Sequence, residues 1–183
     1  MGRITTSALE LFGRQGYEAT TLEAVAAEAG ISPRTFFHYF KSKEDIVLAW
    51  QDGLPGQLRS AILAETGAGT PLEVLKQALL KLLDGYDATS ADVIIQLIRS
   101  SDRLQVANHA KLMNLEDAAA QALESRWPDM ERRSGLRIAA TVAVGALRIA
   151  LDRRASAPEA GSVSVLFEEL FKALEIEVLS SAA

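Results

Sequence analysis

The chain has 183 residues, of which 49% are hydrophobic and 23% are charged, a composition typical of globular proteins and unlike that of disordered or fibrous ones. It contains no cysteine, which excludes disulfides, thiolate metal sites and a cysteine nucleophile. Nineteen basic and 24 acidic side chains give a formal charge of −5. This charge disfavours non-specific binding of nucleic acid by the chain as a whole, so any DNA contact has to be local.

The sequence predicts neither a membrane span nor a secretion signal. The longest uncharged run in the C-terminal half is the 10 residues between Arg137 and Arg148, whereas a span needs roughly 18 apolar residues. The first residues also lack the basic start and apolar core that are typical of a signal peptide. We therefore expect a cytoplasmic protein with no membrane partner.

Helical periodicity runs through nearly the whole chain. Apolar residues recur at spacings of three and four, and the alternating patterns typical of strands are missing. Helix-start signals of the form Ser/Thr-x-x-Asp/Glu and helix-ending glycines then predict an all-α fold of about nine helices. These predicted helices span residues 3–15, 21–29, 33–40, 43–66, 71–86, 90–102, 106–126, 130–154 and 160–179.

The second and third predicted helices are short and closely spaced. Thr20 followed by Glu23 predicts a capping box at the start of the second helix, and Gly30 predicts its end. Ser32 and Pro33 then supply an N-cap and a first-turn proline for the third helix. Two helices of this length, joined by so short a turn, are typical of a helix-turn-helix.

The third predicted helix carries more aromatic residues than a small core needs. Phe36 and Phe40 lie one turn apart and are expected to be buried. The remaining face and its flanks hold Arg34, Thr35, Phe37, His38 and Tyr39. Arginine can make two hydrogen bonds to a guanine edge, and threonine or aromatic rings can contact thymine methyls, so this face suits DNA. In the alternative interpretation, all four aromatic rings are core and the charges form a solvated face.

Residues 3–48 resemble, without a gap, the DNA-binding domain of the tetracycline-repressor (TetR) family of bacterial regulators. The resemblance rests on the Gly30-Ile31-Ser32 turn, the aromatic run after it, the Lys41-Ser42-Lys43-Glu44 segment and the distances between them. It implies a helix-turn-helix head over residues 1–46 and a helical ligand-binding and dimerisation domain over residues 47–183. The function it implies is that of a sequence-specific transcriptional regulator, a repressor that a small hydrophobic or amphipathic ligand releases from a palindromic operator.

The same resemblance implies roles for individual side chains in the head. Phe12 and Tyr17 would join Phe36 and Phe40 in its core. Thr21 would bond a DNA phosphate, and Lys43 would hold the DNA backbone. The full set of implied DNA contacts is Arg3, Thr21, Ser32, Arg34, Thr35, Phe37, His38, Tyr39 and Lys43. Only Arg3 stands where other members carry a longer basic arm, so binding is expected to be sensitive to salt.

The resemblance further implies that the helices after the head surround a ligand cavity. The sixth predicted helix is apolar on nearly every side and is expected to be buried. Candidate pocket residues are the large or polar ones near predicted inner faces, namely Trp50, Tyr86, Gln96, Arg99, Arg103, His109, Met113 and Trp127. The C-terminal part looks like the branch compared with acyl-coenzyme A-binding regulators, which implies an acyl ligand with its anionic head near Arg99 or Arg103. Alternatively, the Met and Trp side chains are core and the two arginines form a solvated stripe.

The last two predicted helices carry two apolar stripes, more than a single layer of helices would cover. One stripe consists of small residues that let another helix approach closely, and the other is broad. The sequence therefore predicts a homodimer with a two-fold four-helix interface. The predicted interface residues are Ala139, Ala143, Ala146, Ala150, Val163, Phe167, Leu170, Phe171 and Leu174.

An enzyme finds little support in the sequence. His38 and His109 are the only histidines, and neither stands in the helical spacing of a metal site. No glycine loop of the kind that holds phosphates is present. We expect no catalysis, no metal and no cofactor. One further alternative remains: the near-neutral head would also fit a dimeric helical scaffold that binds a ligand or a protein but no longer binds DNA specifically.

Overall fold

The structure is a computed structural model, which describes residues 2–67, 69–85 and 88–176. In these residues it shows ten α-helices, two one-turn 3-10 helices and no strand, which confirms the predicted all-α class. The helices are α1 (Gly2–Gln15), α2 (Leu22–Glu28), α3 (Pro33–Tyr39), α4 (Lys43–Asp52), α5 (Leu54–Ala64), α6 (Pro71–Asp84), α7 (Ala88–Ser100), α8 (Asp102–Arg126), α9 (Arg133–Ser156) and α10 (Val163–Leu174). The 3-10 helices are Met130–Arg132 and Pro158–Ala160.

The predicted fourth helix, 43–66, is two helices in the structure. Helix α4 ends at Asp52, and the backbone N–H of its C-cap, Gly53, bonds the carbonyls of Trp50 and Gln51. Helix α5 begins at the next residue, with Pro55 in its first turn, where a missing N–H does no harm. Counted as one broken helix, this pair makes the observed total agree with the predicted nine.

Two predicted helix starts are corrected by the structure. Thr20 is not a cap, because its hydroxyl donates to the carbonyl of Gly16 at 2.7 Å and the residue is buried. The N-cap of α2 is Thr21, whose hydroxyl accepts from the N–H of Ala24 at 3.1 Å. The last helix is capped by Ser162 and begins at Val163, three residues later than predicted. The error at α2 arose because the adjacent Thr20 and Thr21 have equal capping ability.

The chain divides into two compact units, of which the first comprises Met1–Leu54 and Asp87–Lys111. In this unit α1 packs against α2, α4 and α7. Its core centres on Phe12, Phe36 and Phe40, each at most 1% exposed, together with apolar residues from α4 and α7. Because α7 packs on α1, this unit extends beyond the predicted head, and the predicted boundary between residues 46 and 47 does not coincide with the division.

The second compact unit comprises Pro55–Tyr86 and Leu112–Ala183. In it α9 packs against both α6 and α10. The rings of Phe167 and Phe171 on α10 are buried in this unit, and their centroids lie 4.8 Å apart. The buried residues of α9 are Leu136, Ala140, Ala143, Val144, Leu147 and Ala150.

One stretch in the described part of the chain, Met130–Ser156, is long and apolar enough to cross a membrane by length and composition alone. The core helix of a globular unit meets the same criterion. Here α9 packs against α6 and α10, and its buried residues recur at helical spacing along one face. Its apolar character therefore has a structural explanation in the packing of the second unit.

Candidate nucleic-acid interface

Helix α3 is short and is held in place from one side. The hydroxyl of Ser32 accepts the N–H of Thr35 at 3.1 Å, and Pro33 occupies the first turn. Phe36, fully buried, anchors the middle of the helix, and its ring lies 5.4 Å from that of Phe40 just past the helix end. The cap and these two rings fix a helix of only seven residues, and they leave its other side chains at the surface.

The exposed side of α3 is aromatic and cationic. Phe37 is 40% exposed and Tyr39 is 52% exposed, although both are large rings. Phe37 rests edge-on against Phe36, and the His38 ring contacts the Tyr39 ring at 5.2 Å. The interpretation in which all four aromatic rings of this segment are core is therefore wrong. Arg34, Thr35 and His38 are exposed beside these rings, as predicted.

Hydroxyl groups stand at the start of both helices of the predicted helix-turn-helix. Thr21 caps α2 and Ser32 caps α3, and both residues are exposed. The Ser32 and Thr35 hydroxyls also lie 2.8 Å apart, so these two side chains share a hydrogen bond. Their capping roles are structural, and both helix starts remain open to an anion.

Lys43 is placed differently from the prediction. Its ammonium group donates to the carbonyl of Tyr17 at 2.6 Å and lies 4.3 Å from the centre of the Tyr17 ring. A second, longer bond of 3.5 Å goes to the carbonyl of Glu18. Lys43 therefore ties the start of α4 to the turn after α1, and its main contact is with the protein itself. The Lys-Ser-Lys-Glu motif does not reveal this role, because the carbonyls come from residues about 25 positions away.

Tyr17 belongs to the same contact and is half-buried, not fully buried as a core residue would be. Its ring meets that of Phe12 edge-on at 5.1 Å. Burial raises the pKa of Tyr17 to about 12, with smaller contributions from the carboxylates of Glu44 and Glu18. The phenol therefore stays neutral throughout the physiological pH range.

Few cations in this unit are free to meet phosphates. Arg14 forms an ion pair with Glu28, and Lys43 is engaged as described. Arg34 and Lys41 are exposed on α3 and just past it. The side chain of Arg3, predicted to contact DNA, lies outside the described part of the structure. Any affinity for DNA must therefore depend strongly on the groups of α3.

Arg103 was predicted to line a ligand pocket, but the structure gives it another partner. Its guanidinium contacts the Asp45 carboxylate at 2.8 Å, and the other oxygen of Asp45 accepts the N–H of Lys41 at 3.0 Å. Burial alone would raise the pKa of Asp45, yet the Lys41 N–H and the Arg103 guanidinium hold that pKa below its usual value. Arg103 thus braces the segment between α3 and α4, and the placement of a ligand's anionic head beside it is corrected.

The other predicted pocket residues are not gathered into one visible cluster. Gln96, Arg99 and His109 are exposed in the first unit, and Met113 is 63% exposed in the second. Trp127 is half-buried and contacts Arg126 and Arg132, whose guanidinium carbons lie 5.1 and 5.7 Å from its ring centre. Trp50 is half-buried, and Tyr86 lies outside the described residues. The pocket therefore remains a prediction.

The predicted dimer interface is partly corrected. Five of its nine members are at most 7% exposed within a single chain, so they have no surface to offer a partner: Ala143, Ala150, Val163, Phe167 and Phe171. They form the α9–α10 packing instead. Four members keep part of their surface, namely Ala139, Ala146, Leu170 and Leu174.

A different stripe on α9 is available to a partner. Ile138 and Ile149 are 64% and 41% exposed, and the half-buried Val142 and Gly145 lie between them at spacings of four, three and four residues. A side chain at Gly145 would meet nothing within 4 Å, so this position leaves open space on the surface. On α10, Val165 is 48% exposed. Residues at spacings of three and four typically pack against another helix. We call Ile138, Val142, Gly145 and Ile149 the α9 seam.

The described residues contain no group of three or more His, Cys, Asp or Glu side chains that could hold a metal ion. Two features distinguish the surface of the described residues, namely the exposed aromatic and cationic side of α3 and the apolar seam of α9.

Comparison with known proteins agrees with this geometry. Residues 4–50 match the family described as bacterial regulatory proteins, tetR family. The HTH-type transcriptional regulator TcmR of Streptomyces glaucescens is 26% identical over 132 residues, which cover 68% of this chain and 58% of TcmR. The HTH-type transcriptional regulator BetI of Rhizobium meliloti is 41% identical over 71 residues, which cover 38% of this chain and 35% of BetI. The chain thus spans less than two thirds of the length of these relatives.

Among solved structures, that of Thermus thermophilus FadR, a TetR-family transcriptional repressor in complex with lauroyl-CoA, covers 100% of this chain and 96% of its own. The TM-score is 0.64 at 24% sequence identity, a likeness that shows a common fold. The relatives that match in sequence are regulators of transcription and not enzymes. Residues 4–50 are thus similar to the N-terminal domain of bacterial regulatory proteins of the tetR family, and the chain as a whole shares the fold of FadR.

Proposed function

We propose that the chain is a sequence-specific DNA-binding transcriptional regulator that acts as a homodimer. Helix α3 enters the major groove of a palindromic operator, and a small hydrophobic or amphipathic ligand releases the protein, which makes it a repressor. We expect it to act in the cytoplasm, without a cofactor. Two heads related by a two-fold axis contact half-sites about one DNA turn or more apart, roughly 34 to 36 Å per turn.

The observation that carries this proposal is the exposed side of α3. Large rings are rarely left half-exposed next to an arginine and a histidine on so short a helix without a partner. Arg34 suits a guanine edge, and Phe37 suits a thymine methyl group. The hydroxyls of Thr21 and Ser32 stand at helix starts, where phosphates bind readily.

Selection of random duplex DNA by the purified protein tests the proposal without knowledge of the ligand. We expect enrichment of a palindrome with two half-sites. The same selection with Arg34→Ala should lose preference at one position of each half-site. An absence of enrichment at low salt would contradict DNA recognition and would direct attention to the scaffold alternative.

That alternative has one observation in its favour, which is the scarcity of free cations. Arg14 is paired with Glu28, and Lys43 is bonded to backbone carbonyls, so electrostatic attraction to DNA is weak. A scaffold, however, gives no reason for exposed rings on α3. Enrichment of one duplex over others would favour the DNA-binding regulator, and the absence of enrichment would favour the scaffold.

The ligand proposal rests on family likeness. FadR of Thermus thermophilus was solved with lauroyl-CoA, a ligand with an apolar tail and an anionic head. We propose an amphipathic organic ligand for this chain as well. A screen of acyl-coenzyme A esters and free acids by melting temperature tests it, and a set of compounds that leaves both melting temperature and DNA binding unchanged would contradict it.

The homodimer proposal rests on the α9 seam. Ile138, Val142 and Ile149 line one exposed side of the helix, and a second copy of the same seam would cover them. The half-buried Ala139, Ala146, Leu170 and Leu174 remain its candidate neighbours. Light scattering at micromolar concentration should give twice the 19.7 kDa mass of one chain.

A further inference from the structure

A cluster of nitrogen donors in the first unit is not explained by DNA recognition. It joins Gln51 near the end of α4 to Asn108 and Lys111, one turn apart on α8. Gln51 is 2% exposed, and the cluster lies beside the ring of Trp50. Sequence reasoning missed these three residues, because a lone Gln, Asn or Lys on a helix is ordinarily a surface residue.

The geometry of the cluster shows an excess of donors over acceptors. The side-chain oxygen of Asn108 receives both the ammonium of Lys111, at 3.3 Å, and the amide of Gln51, at 3.5 Å. Both distances are longer than those of strong hydrogen bonds to a charged group. One neutral amide oxygen thus serves two donor groups that together carry five N–H bonds.

The charge of Lys111 is not compensated within the described residues. Its ammonium contacts the Asn108 oxygen and lies 5.8 Å from the centre of the Trp50 ring, and no carboxylate forms an ion pair with it. Burial lowers the pKa of Lys111 from 10.5 to about 8. At neutral pH the group is still mostly protonated, so the protein holds a half-buried cation without a matching anion.

We propose that Lys111, Gln51 and Asn108 form a binding site for the carboxylate of an organic acid, whose apolar body lies beside Trp50. A carboxylate supplies two oxygens and one negative charge, which is what the cluster lacks. The indole ring favours an acid with an acyl chain or an aromatic ring over a small polar acid. The site differs from the predicted one, since Arg103 is paired with Asp45 and Arg99 is exposed.

The site also deepens the proposed function, on which its regulatory meaning rests. Gln51 lies on α4, the helix that follows α3 after the three residues between Tyr39 and Lys43. A carboxylate that draws Gln51 and Lys111 together would change the packing of α4 against α8 within one compact unit. Binding at this cluster therefore acts on the helix next to the DNA-contacting segment.

The test is a titration at pH 7 with dodecanoate and 1-naphthoate, with dodecanol and 1-naphthylmethanol as uncharged counterparts. Calorimetry and the emission of Trp50, in a Trp127→Phe background, report binding. We expect at least one acid to bind and its alcohol to bind more weakly by about tenfold or more. Which acid binds distinguishes an acyl ligand from an aromatic one.

Variants assign the binding to the cluster. Lys111→Met should weaken binding of the acid by about tenfold or more, while Lys111→Arg keeps much of it. Lys81→Met is the matched control, because Lys81 is an exposed lysine paired with Glu65 in the other unit, and it should bind as the wild type does. Lys111→Met should also raise the melting temperature, since a desolvated cation is removed, whereas a purely structural lysine would lower it when lost.

Asn108→Asp provides an independent test of the site, because it places a carboxylate of the protein beside Lys111. The variant should melt at a higher temperature and bind the acid at least about tenfold more weakly. The proposal is overturned if neither acid binds the wild type, or if Lys111→Met and Asn108→Asp both bind it within about twofold of the wild type. On a duplex obtained by selection, the acid should release the wild type and not Lys111→Met. If no duplex is bound, the proposed function fails, but the titration still shows whether the acid binds at the cluster. The failure of the site and the failure of the proposed function are therefore distinguishable.

Discussion

Helices α3 and α9 both present apolar side chains to solvent, but they do so for different reasons. In α3, of seven residues, only Phe36 is buried, and nearly all other side chains have to be on the surface. In α9, of 24 residues, six are buried and a second apolar stripe remains outside. In a short helix with one buried residue, the sequence predicts which face is buried. In a long helix with two apolar faces, the sequence does not show which of the two is buried.

Phe36→Ala against Phe37→Ala is the strongest test of this difference within α3. Loss of the fully buried Phe36 ring should lower the free energy of unfolding by about 3 to 5 kcal/mol. Loss of the exposed Phe37 ring should lower it by less than about 1 kcal/mol and weaken DNA binding instead. Denaturant unfolding and DNA titration measure the two effects, and equal destabilisation by both variants would refute the assignment of faces.

Ile149→Arg applies the same logic to the outer face of α9. A charge in the seam should weaken dimerisation by about 3 kcal/mol, a rise in dissociation constant of ~100-fold. Leu63→Arg is the matched control, because Leu63 is also exposed, at 44%, but lies on α5. Analytical ultracentrifugation measures the effect, and a dimer that tolerates Ile149→Arg as well as Leu63→Arg would remove the seam from the interface.

Arg34→Ala tests the cationic part of the α3 surface. It should weaken binding to the selected site by about 1 to 3 kcal/mol and relax the base preference at the contacted position. Its fold stability should be unchanged, because the side chain is exposed. Binding assays on the selected duplex and on single-base variants measure both quantities. Unchanged affinity and preference would place the groove-facing side elsewhere.

Lys43→Met distinguishes a structural lysine from a phosphate contact. Loss of its bond to the Tyr17 carbonyl should lower the free energy of unfolding by about 1 kcal/mol. Lys41→Met, at an exposed lysine just past α3, should leave stability unchanged. Denaturant unfolding of the two variants and the wild type measures this difference in stability. If Lys43→Met instead preserves stability and weakens binding to every duplex alike, the role implied by family resemblance is the correct one.

The smallest effect is expected at the Asp45–Arg103 pair. Because its folded-state pKa is lowered, Asp45 contributes stability above the ordinary carboxylate pKa of about 4, and this contribution is lost as pH falls below that value. The partly exposed pair should contribute less than about 1 kcal/mol. Unfolding between pH 7 and pH 3 should show the loss in wild type and not in Asp45→Asn. Asp117→Asn, at a more exposed pair with Arg137, is the control.

The parts of the fold that depend on local signals could be predicted from the sequence. Ser32 caps α3 with Pro33 in its first turn, and Phe36 and Phe40 are both buried, as predicted. The exposure of Phe37 and Tyr39 followed from the small core of the head. Each of these features depends on residues within a few positions of one another.

Features that depend on distant partners could not be predicted. Lys43 meets the carbonyl of Tyr17, and Arg103 meets Asp45, at separations of 26 and 58 positions. The alanine stripe of α9 was assigned to a partner because sequence alone does not say that α10 packs against α9. The donor cluster at Lys111 was missed for the same reason, since only the fold brings α4 beside α8.

The pairing of Arg14 with Glu28 bears on how strongly the proposed DNA-binding head would hold unspecific DNA. A genome offers millions of unspecific sites, and a strongly basic head would spend most of its time on them. A head in which Arg14 and Lys43 are engaged within the protein would be held less by such DNA. For the proposed regulator, a larger share of the molecules would then stay free to find an operator.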